Sequence, residues 1–320
     1  MSIQNKNNIL SQTLHEIQSF RAQFPDWIII LRWATATGKT GFSLEISNHF
    51  SIEIISADSR QVYRGMDIGT DKVTADVQKE IAHRWLDLVN PDEEFTAGQW
   101  KQYTEEKIAA IQSRGHVPLI VWWTGLYIDM LYRNFAMPEL APQRERRDDM
   151  MTKEQERPGR LYEELFRVDP EEALKNNEQS IRYILRALEI FTFTGKTKTE
   201  RSGEQPVKRP ILMLWLRRER DATNALIDER IDELFERGLV DEVEWLIKQW
   251  YTADLQSMNW IWYKEIIGYL NGEYTLDHAK ELLKQNTHRL AKKQRTRFRK
   301  YLHEAEHKPK EQVVRKTLFL

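Results

Sequence analysis

The segment Trp33-Ala34-Thr35-Ala36-Thr37-Gly38-Lys39-Thr40 ends in Gly-Lys-Thr, between an apolar run at 27–31 and a helical pattern over 40–50. Backbone N–H groups at such a helix N-terminus point at an anion. The Lys39 ammonium would add a point charge on terminal phosphates, and the Thr40 hydroxyl would offer a ligand to Mg²⁺. The chemistry implied is binding of a di- or triphosphate, nucleotides such as ATP included, although Trp33 stands where this motif opens with glycine. Taken alone, the same residues also read as a helix capped by Thr37 with an incidental Gly-Lys-Thr.

A second cluster, Ser56-Ala-Asp58-Ser59-Arg60-Gln61-Val-Tyr63, follows an apolar run at 52–55, and Asp-Ile-Gly69-Thr70 comes soon after. Open α/β sheets bind ligands at the carboxyl ends of their strands, so an acid placed there is a candidate general base. The structural alternative is that Asp58 caps a helix.

Charge supplies the third cluster. Lys and Arg number 48 against 49 Asp and Glu, so the total neither demands nor excludes a polyanion, and only local distribution decides. Residues 284–300 carry eight Lys or Arg and no Asp or Glu, the footprint of a helix that meets an RNA backbone. Arg182 and Arg186 stand four apart on one predicted helix face, where they either clamp phosphates or form a solvated surface. His83 reads as a hydrogen-bonded structural residue.

The elements that must position these groups form an α/β pattern. Strands are expected at 27–31, 52–55, 117–121 and 211–214, the first two flanking a helix, which implies a parallel sheet. A charged helical middle at 139–200 reads as an insertion dividing a core of 25–138 and 201–303. A helical lead-in precedes the core at 1–24, and a loosely ordered tail follows at 304–320. From Asp221 the chain is helical, with breaks at Gly238 and Gly272. There is no cysteine, which removes disulfides, thiolate metal sites and cysteine nucleophiles and fits a reducing compartment, the cytoplasm. No run of about 18 apolar residues exists, so no membrane span is expected.

These strings together resemble the tRNA dimethylallyltransferase family, over almost all of residues 28–300. Its second motif reads Ser-Ala-Asp-Ser-Arg-Gln-Val-Tyr followed by Asp-Ile-Gly-Thr. Further matches are His83 and Asp87 with Asn90-Pro-Asp-Glu-Glu-Phe95, Thr124-Gly-Leu-Tyr127, Arg186-Ala-Leu-Glu189 with Thr194-Gly-Lys196, Tyr263-Lys264-Glu265, and the stretch from Asn286 to Arg299. Lys293 and Arg297 replace a commoner Arg and Trp.

The resemblance implies a P-loop NTPase-like parallel sheet core with an inserted all-helical subdomain that grips tRNA. It implies transfer of a dimethylallyl group from dimethylallyl diphosphate to N6 of the adenine at tRNA position 37, beside the anticodon, in a monomer that binds neither DNA nor membrane. The loop 33–40 would hold the diphosphate, with Mg²⁺ on Thr40. Asp58 would be the base, and Thr124 would lie at the reacting centre. Ser59, Arg60 and Gln61 would meet the flipped adenine. Arg182, Arg186, Lys292, Lys293, Gln294 and Arg299 would meet the rest of the tRNA.

Tryptophan departs from the family pattern. Trp33, Trp122, Trp123 and Trp262 stand at glycine positions, and so do Trp250 and Trp260, whereas Trp27, Trp85, Trp100 and Trp245 fall where a large apolar residue is unremarkable. The chain has 13 glycines in 320 residues, short of a usual ~7%. Both facts follow if UGA codons meaning glycine have been read as tryptophan. Two other functions compete: an inactive tRNA-binding homologue, and a small-metabolite kinase, for which the Asp58 string and the basic helix have no role.

Overall fold

The computed structural model describes residues 3–32, 39–122, 124–134, 143–201, 206–307 and 312–319. In chain order its elements begin with α1 (Ile3–Gln23), β1 (Ile28–Arg32), α2 (Lys39–Ser47), β2 (Ile52–Ala57), α3 (Ala75–Glu80), β3 (His83–Arg84), α4 (Ala97–Gln112), β4 (Val117–Trp122) and α5 (Gly125–Tyr132). Five helices follow: α6 (Arg144–Glu156), α7 (Arg160–Val168), α8 (Pro170–Lys175), α9 (Ile181–Thr194) and α10 (Lys198–Arg201). The chain then returns through β5 (Ile211–Arg217), α11 (Arg220–Glu236), α12 (Leu239–Lys248), α13 (Ile261–Leu270), α14 (Leu276–His307) and β6 (Val313–Phe319).

The strands make one sheet in the order β3-β2-β4-β1-β5-β6, parallel throughout. β1, all five residues buried, occupies the interior between β4 and β5, which is why it is an uninterrupted apolar run rather than an alternating one. From β1 the chain moves to β2 on one side, and from β4 it crosses to β5 on the other. The carboxyl ends of β1 and β4 therefore flank the reversal where open sheets bind ligands. Apolar residues of α1 (Ile9, Ile17, Phe20) and α2 (Phe42, Ile46) share one core with Ile29, Leu31, Leu119 and Leu214 of the sheet.

Two compact units are distinguished. The first comprises 1–95, 102–128 and 209–320, and the second 96–101 and 129–208. The second is helical, with its own core of Met150, Leu161, Leu165, Ala173, Ile184 and Leu188. It is wider than the 139–200 insertion expected from sequence, because Asn134 accepts from Lys101 Nζ at 3.0 Å and donates to the Pro206 carbonyl at 3.0 Å.

The C-terminal residues correct the expectation of a loosely ordered tail. Residues 313–319 pair in parallel with the whole of β5, from Ile211↔Val313 to Arg217↔Phe319. Val313 and Leu318 are buried there, and Lys316 reaches Glu16 of α1 at 2.7 Å. The strand carries Arg315 and Lys316 among its apolar residues, so its sequence lacks the continuous apolar signal of an interior strand. No described helix is long and apolar enough to cross a membrane.

Candidate active site at the carboxyl ends of the strands

β2, β4 and β1 are neighbours in the sheet, and each of their carboxyl ends leads into a predicted site segment. After β1 come residues 33–38, which lie outside the described residues, as does Trp123. Lys39 and Thr40 open α2. The diphosphate assignments at Trp33, Ala34, Thr35, Ala36, Thr37 and Gly38 therefore carry no geometry here, nor do the side chains of Lys39, Thr40 and Trp122.

The other two segments meet. Thr124 N–H donates to the Ala57 carbonyl at 2.9 Å, extending the β2–β4 ladder by one bond. The Thr124 hydroxyl accepts from Ser59 N–H at 3.0 Å and lies 3.2 Å from Ser59 Oγ. The two strand ends are thus tied across the very residues singled out for chemistry.

Asp58 is 6% exposed, and its Oδ1 accepts from Arg60 N–H at 2.8 Å. This is a turn closed by the side chain two residues back. The next helix, α3, does not begin until Ala75, so the helix-cap alternative is set aside. Tyr127 lies close, and burial first, then the Asp58 and Tyr63 charges, push its phenol well above its ordinary pKa.

The neighbours of Asp58 are engaged within the protein. Gln61 Oε1 accepts from Ser56 Oγ at 2.7 Å, and its Nε2 donates to the Thr70 and Asp71 carbonyls, both at 3.2 Å. The Arg60 guanidinium donates to the Gln256 carbonyl and lies 5.0 Å over the Trp260 ring. These side chains build the turn around Asp58.

On α14 the basic stretch has two sides. Lys284 and His288 face Asp232 and Asp228 of α11, at 3.0 and 2.9 Å. Lys292, Lys293 and Arg299 are exposed, as expected for groups that meet phosphates. Gln294 corrects the expectation: it is 9% exposed and belongs to the inner side of the helix. α14 also borders the Thr124 segment. A Cβ on Gly125 would stand 2.7 Å from the Arg297 guanidinium carbon, so any larger residue there would displace the end of that side chain.

In the helical unit Arg182 is exposed, whereas Arg186 departs from the expected pair of phosphate clamps. Its Nη1 donates to Glu189 at 2.7 Å, and Arg147 binds the same fully buried carboxylate at 2.9 Å. A buried carboxylate needs this compensation, which a reading of helix faces alone did not anticipate. His83 behaves as expected: Nδ1 lies 2.8 Å from the Ile81 carbonyl, and burial lowers its pKa.

Two tryptophans stand in backbone conformations suited to glycine. Trp250, already placed at a glycine position, has φ +66°. Trp85 has φ +82°, yet it is fully buried among aromatic rings, in keeping with the reading of a large apolar residue there. Trp262 is housed in the core, its indole N–H on Thr287 Oγ1 at 2.9 Å.

Comparison with known proteins agrees with this fold. A family model described as IPP transferase matches residues 61–301. The tRNA dimethylallyltransferase of Pelotomaculum thermopropionicum is 36% identical over 276 residues, covering 86% of this chain and 88% of that protein. The crystal structure of the full-length tRNA isopentenylpyrophosphate transferase of Bacillus halodurans aligns with a TM-score of 0.64 at 32% identity, over 92% of this chain and 90% of that one. A eukaryotic dimethylallyltransferase shares the fold, with a TM-score of 0.76 at 24% identity over 92% and 74% of the two chains.

Proposed function

This chain belongs to the IPP transferase family, and on that premise we propose that it moves a dimethylallyl group from dimethylallyl diphosphate to N6 of adenine 37, next to the tRNA anticodon. The observation that carries the reading is the tie between Thr124 and Ser59, which holds Asp58 at the carboxyl ends of β2 and β4.

In the reaction the N6 lone pair attacks the allylic carbon as its bond to the diphosphate oxygen breaks. Pyrophosphate leaves with the bonding pair, and the proton shed by N6 passes to Asp58, whose qualification is position. The amides of residues 33–38 and the Lys39 ammonium neutralise the charge that develops on the leaving group. Mg²⁺ prefers one or two protein ligands together with phosphate oxygens, and a donor set of Thr40 plus the diphosphate suits that habit. When bound, the ion offsets leaving-group charge. A stacked base cannot reach a buried acid, so the adenine enters flipped out, against the turn of Ser59, Arg60 and Gln61. Lys292, Lys293 and Arg299 of α14, and Arg182 of the helical unit, contact the tRNA backbone. The cysteine-free chain suits a cytoplasmic enzyme, and it acts as a monomer.

We infer further that the natural chain carries glycine at positions 33, 122, 123, 250, 260 and 262, where this sequence has tryptophan. Glycine at 33 lets the loop backbone approach the diphosphate closely, where an indole would crowd it.

The test is incubation of the protein with labelled dimethylallyl diphosphate and an anticodon stem-loop, without ATP. Label is expected on the adenine of the stem-loop. No label on the stem-loop, together with consumption of ATP in a parallel incubation that holds ATP and no RNA, would replace this reading with a kinase.

A further inference from the structure

Glu242, which the sequence reading passed over, lies in the first turn of α12, where an acid is ordinary because it complements the helix dipole. Its carboxylate serves something else. Oε2 accepts from the N–H groups of Asp67 at 2.8 Å and Ile68 at 2.6 Å. Oε1 accepts from Gly69 N–H at 2.8 Å and from the Tyr263 hydroxyl at 2.7 Å. Three consecutive backbone amides around one anion form a nest of the kind that usually captures a ligand, here filled by the protein's own carboxylate. The arrangement requires glycine at 69, where a Cβ would stand 2.5 Å from the Tyr263 ring.

The loop held in this way is the one that sets Gln61. Immediately after Gly69, the Thr70 and Asp71 carbonyls take the two N–H groups of the Gln61 amide, and Ser56 donates to its oxygen. With both ends of the amide engaged, Gln61 follows the loop. It closes the same turn in which Asp58 holds Arg60 N–H. A continuous chain of hydrogen bonds therefore runs from α12 to the turn that carries the acid.

We propose that Glu242 is a positioning residue for the adenine site, acting through the 67–71 loop and Gln61 on the placement of Asp58. This rests on the prenyl-transfer reading above. A carboxylate suits the task because it only accepts, whereas all four groups facing it donate.

Glu242→Gln keeps the shape but turns an NH₂ group toward donors. It is compared with wild type in steady-state transfer to a stem-loop, in thermal unfolding, and in hydrogen exchange of the peptide spanning 60–71. The expected result is a kcat lowered by roughly 10–100-fold, the cost of an ångström-scale misplacement. KM for dimethylallyl diphosphate should be unchanged, with the variant still folded at the assay temperature, and Tyr263→Phe, which removes one donor of four, should show a smaller loss of the same kind. A Glu242→Gln enzyme with wild-type kcat overturns the proposal. If wild type itself transfers nothing, the prenyl-transfer reading fails, and exchange decides this one. Faster exchange over 60–71 in Glu242→Gln upholds the chain of contacts, and unchanged exchange overturns it.

Discussion

The indole N–H of Trp85 donates to the main-chain carbonyl of Asp58 at 3.0 Å, from a residue whose own φ is +82°. The ring is packed against Phe95, Tyr103 and Tyr127, and it lines the underside of the turn that carries the proposed base. Among the described residues the non-glycine positions with positive φ are Asp71, Asp87 and Asn134, which tolerate it, and the two tryptophans Trp85 and Trp250. The expected outcome of sequencing the gene is UGA at 33, 122, 123, 250, 260 and 262, and UGG at 27, 85, 100 and 245, where the buried and hydrogen-bonded indole of Trp85 fills its site. Peptide masses of the protein from its own source should show glycine at the first set. UGG at every one of these positions would make all the tryptophans genuine.

Trp250 allows that strain to be weighed without packing, since its side chain is 88% exposed. It ends α12 in a Schellman motif: Tyr251 N–H bonds the Leu246 carbonyl at 3.2 Å, and Trp250 N–H bonds that of Ile247 at 2.9 Å. The residue between the last helical turn and Tyr251 must be left-handed, and a non-glycine residue there costs about 1–2 kcal/mol. Trp250→Gly should therefore raise the free energy of unfolding by about 1 kcal/mol, read from the denaturant midpoint at constant slope. A fall would show that the exposed indole contributes more than its backbone costs.

For the base assignment, Asp58→Asn is more informative than truncation, because Oδ1 still accepts from Arg60 N–H and the turn is kept. Turnover should drop by about 10² or more, with stem-loop affinity unchanged. Undiminished turnover would remove Asp58 from the mechanism.

Much of this arrangement was legible in the sequence, for identifiable reasons. The interior strands β1, β4 and β5 are apolar runs and β2 is one interrupted by Glu53, so all four declared themselves, and the acid and the threonine follow β2 and β4 by simple adjacency. What sequence did not carry are relations between distant segments. Glu242 looks like any acid at a helix start until the amides of 67–69 close on it. Arg186 looks like a free cation until Glu189 is found buried beneath it. The last strand went unseen because an edge position needs only two buried residues, Val313 and Leu318, among charged ones.

The two sides of α14 should separate by salt dependence. Each phosphate contact adds about one to the slope of log affinity against log salt. Lys292→Ala and Lys293→Ala should each lower that slope by about 1 for stem-loop binding. Lys284 is committed to Asp232, so Lys284→Ala should leave the slope alone and reduce stability instead. Equal slopes for all three variants would mean that the exposed side of α14 does not meet the RNA.

Glu189 gives the helical unit a pH dependence of defined sign. Burial alone would push its carboxyl pKa up, but Arg147, the Gln143 amide and Arg186 outweigh that and hold it below the ordinary value. A carboxylate with a folded pKa below its unfolded one, about 4.3, stabilises fully above the unfolded value. It loses that contribution as the pH falls through the folded one. Removing one partner of a buried pair costs about 3–5 kcal/mol, and the low end applies because both arginines are partly solvated. Glu189→Gln should therefore be less stable than wild type by roughly 3 kcal/mol at pH 7. The gap should narrow as urea unfolding is repeated from about pH 5 downward. A gap that stays constant to pH 3 would mean that the cost of the substitution is steric and that the charge on Glu189 contributes nothing.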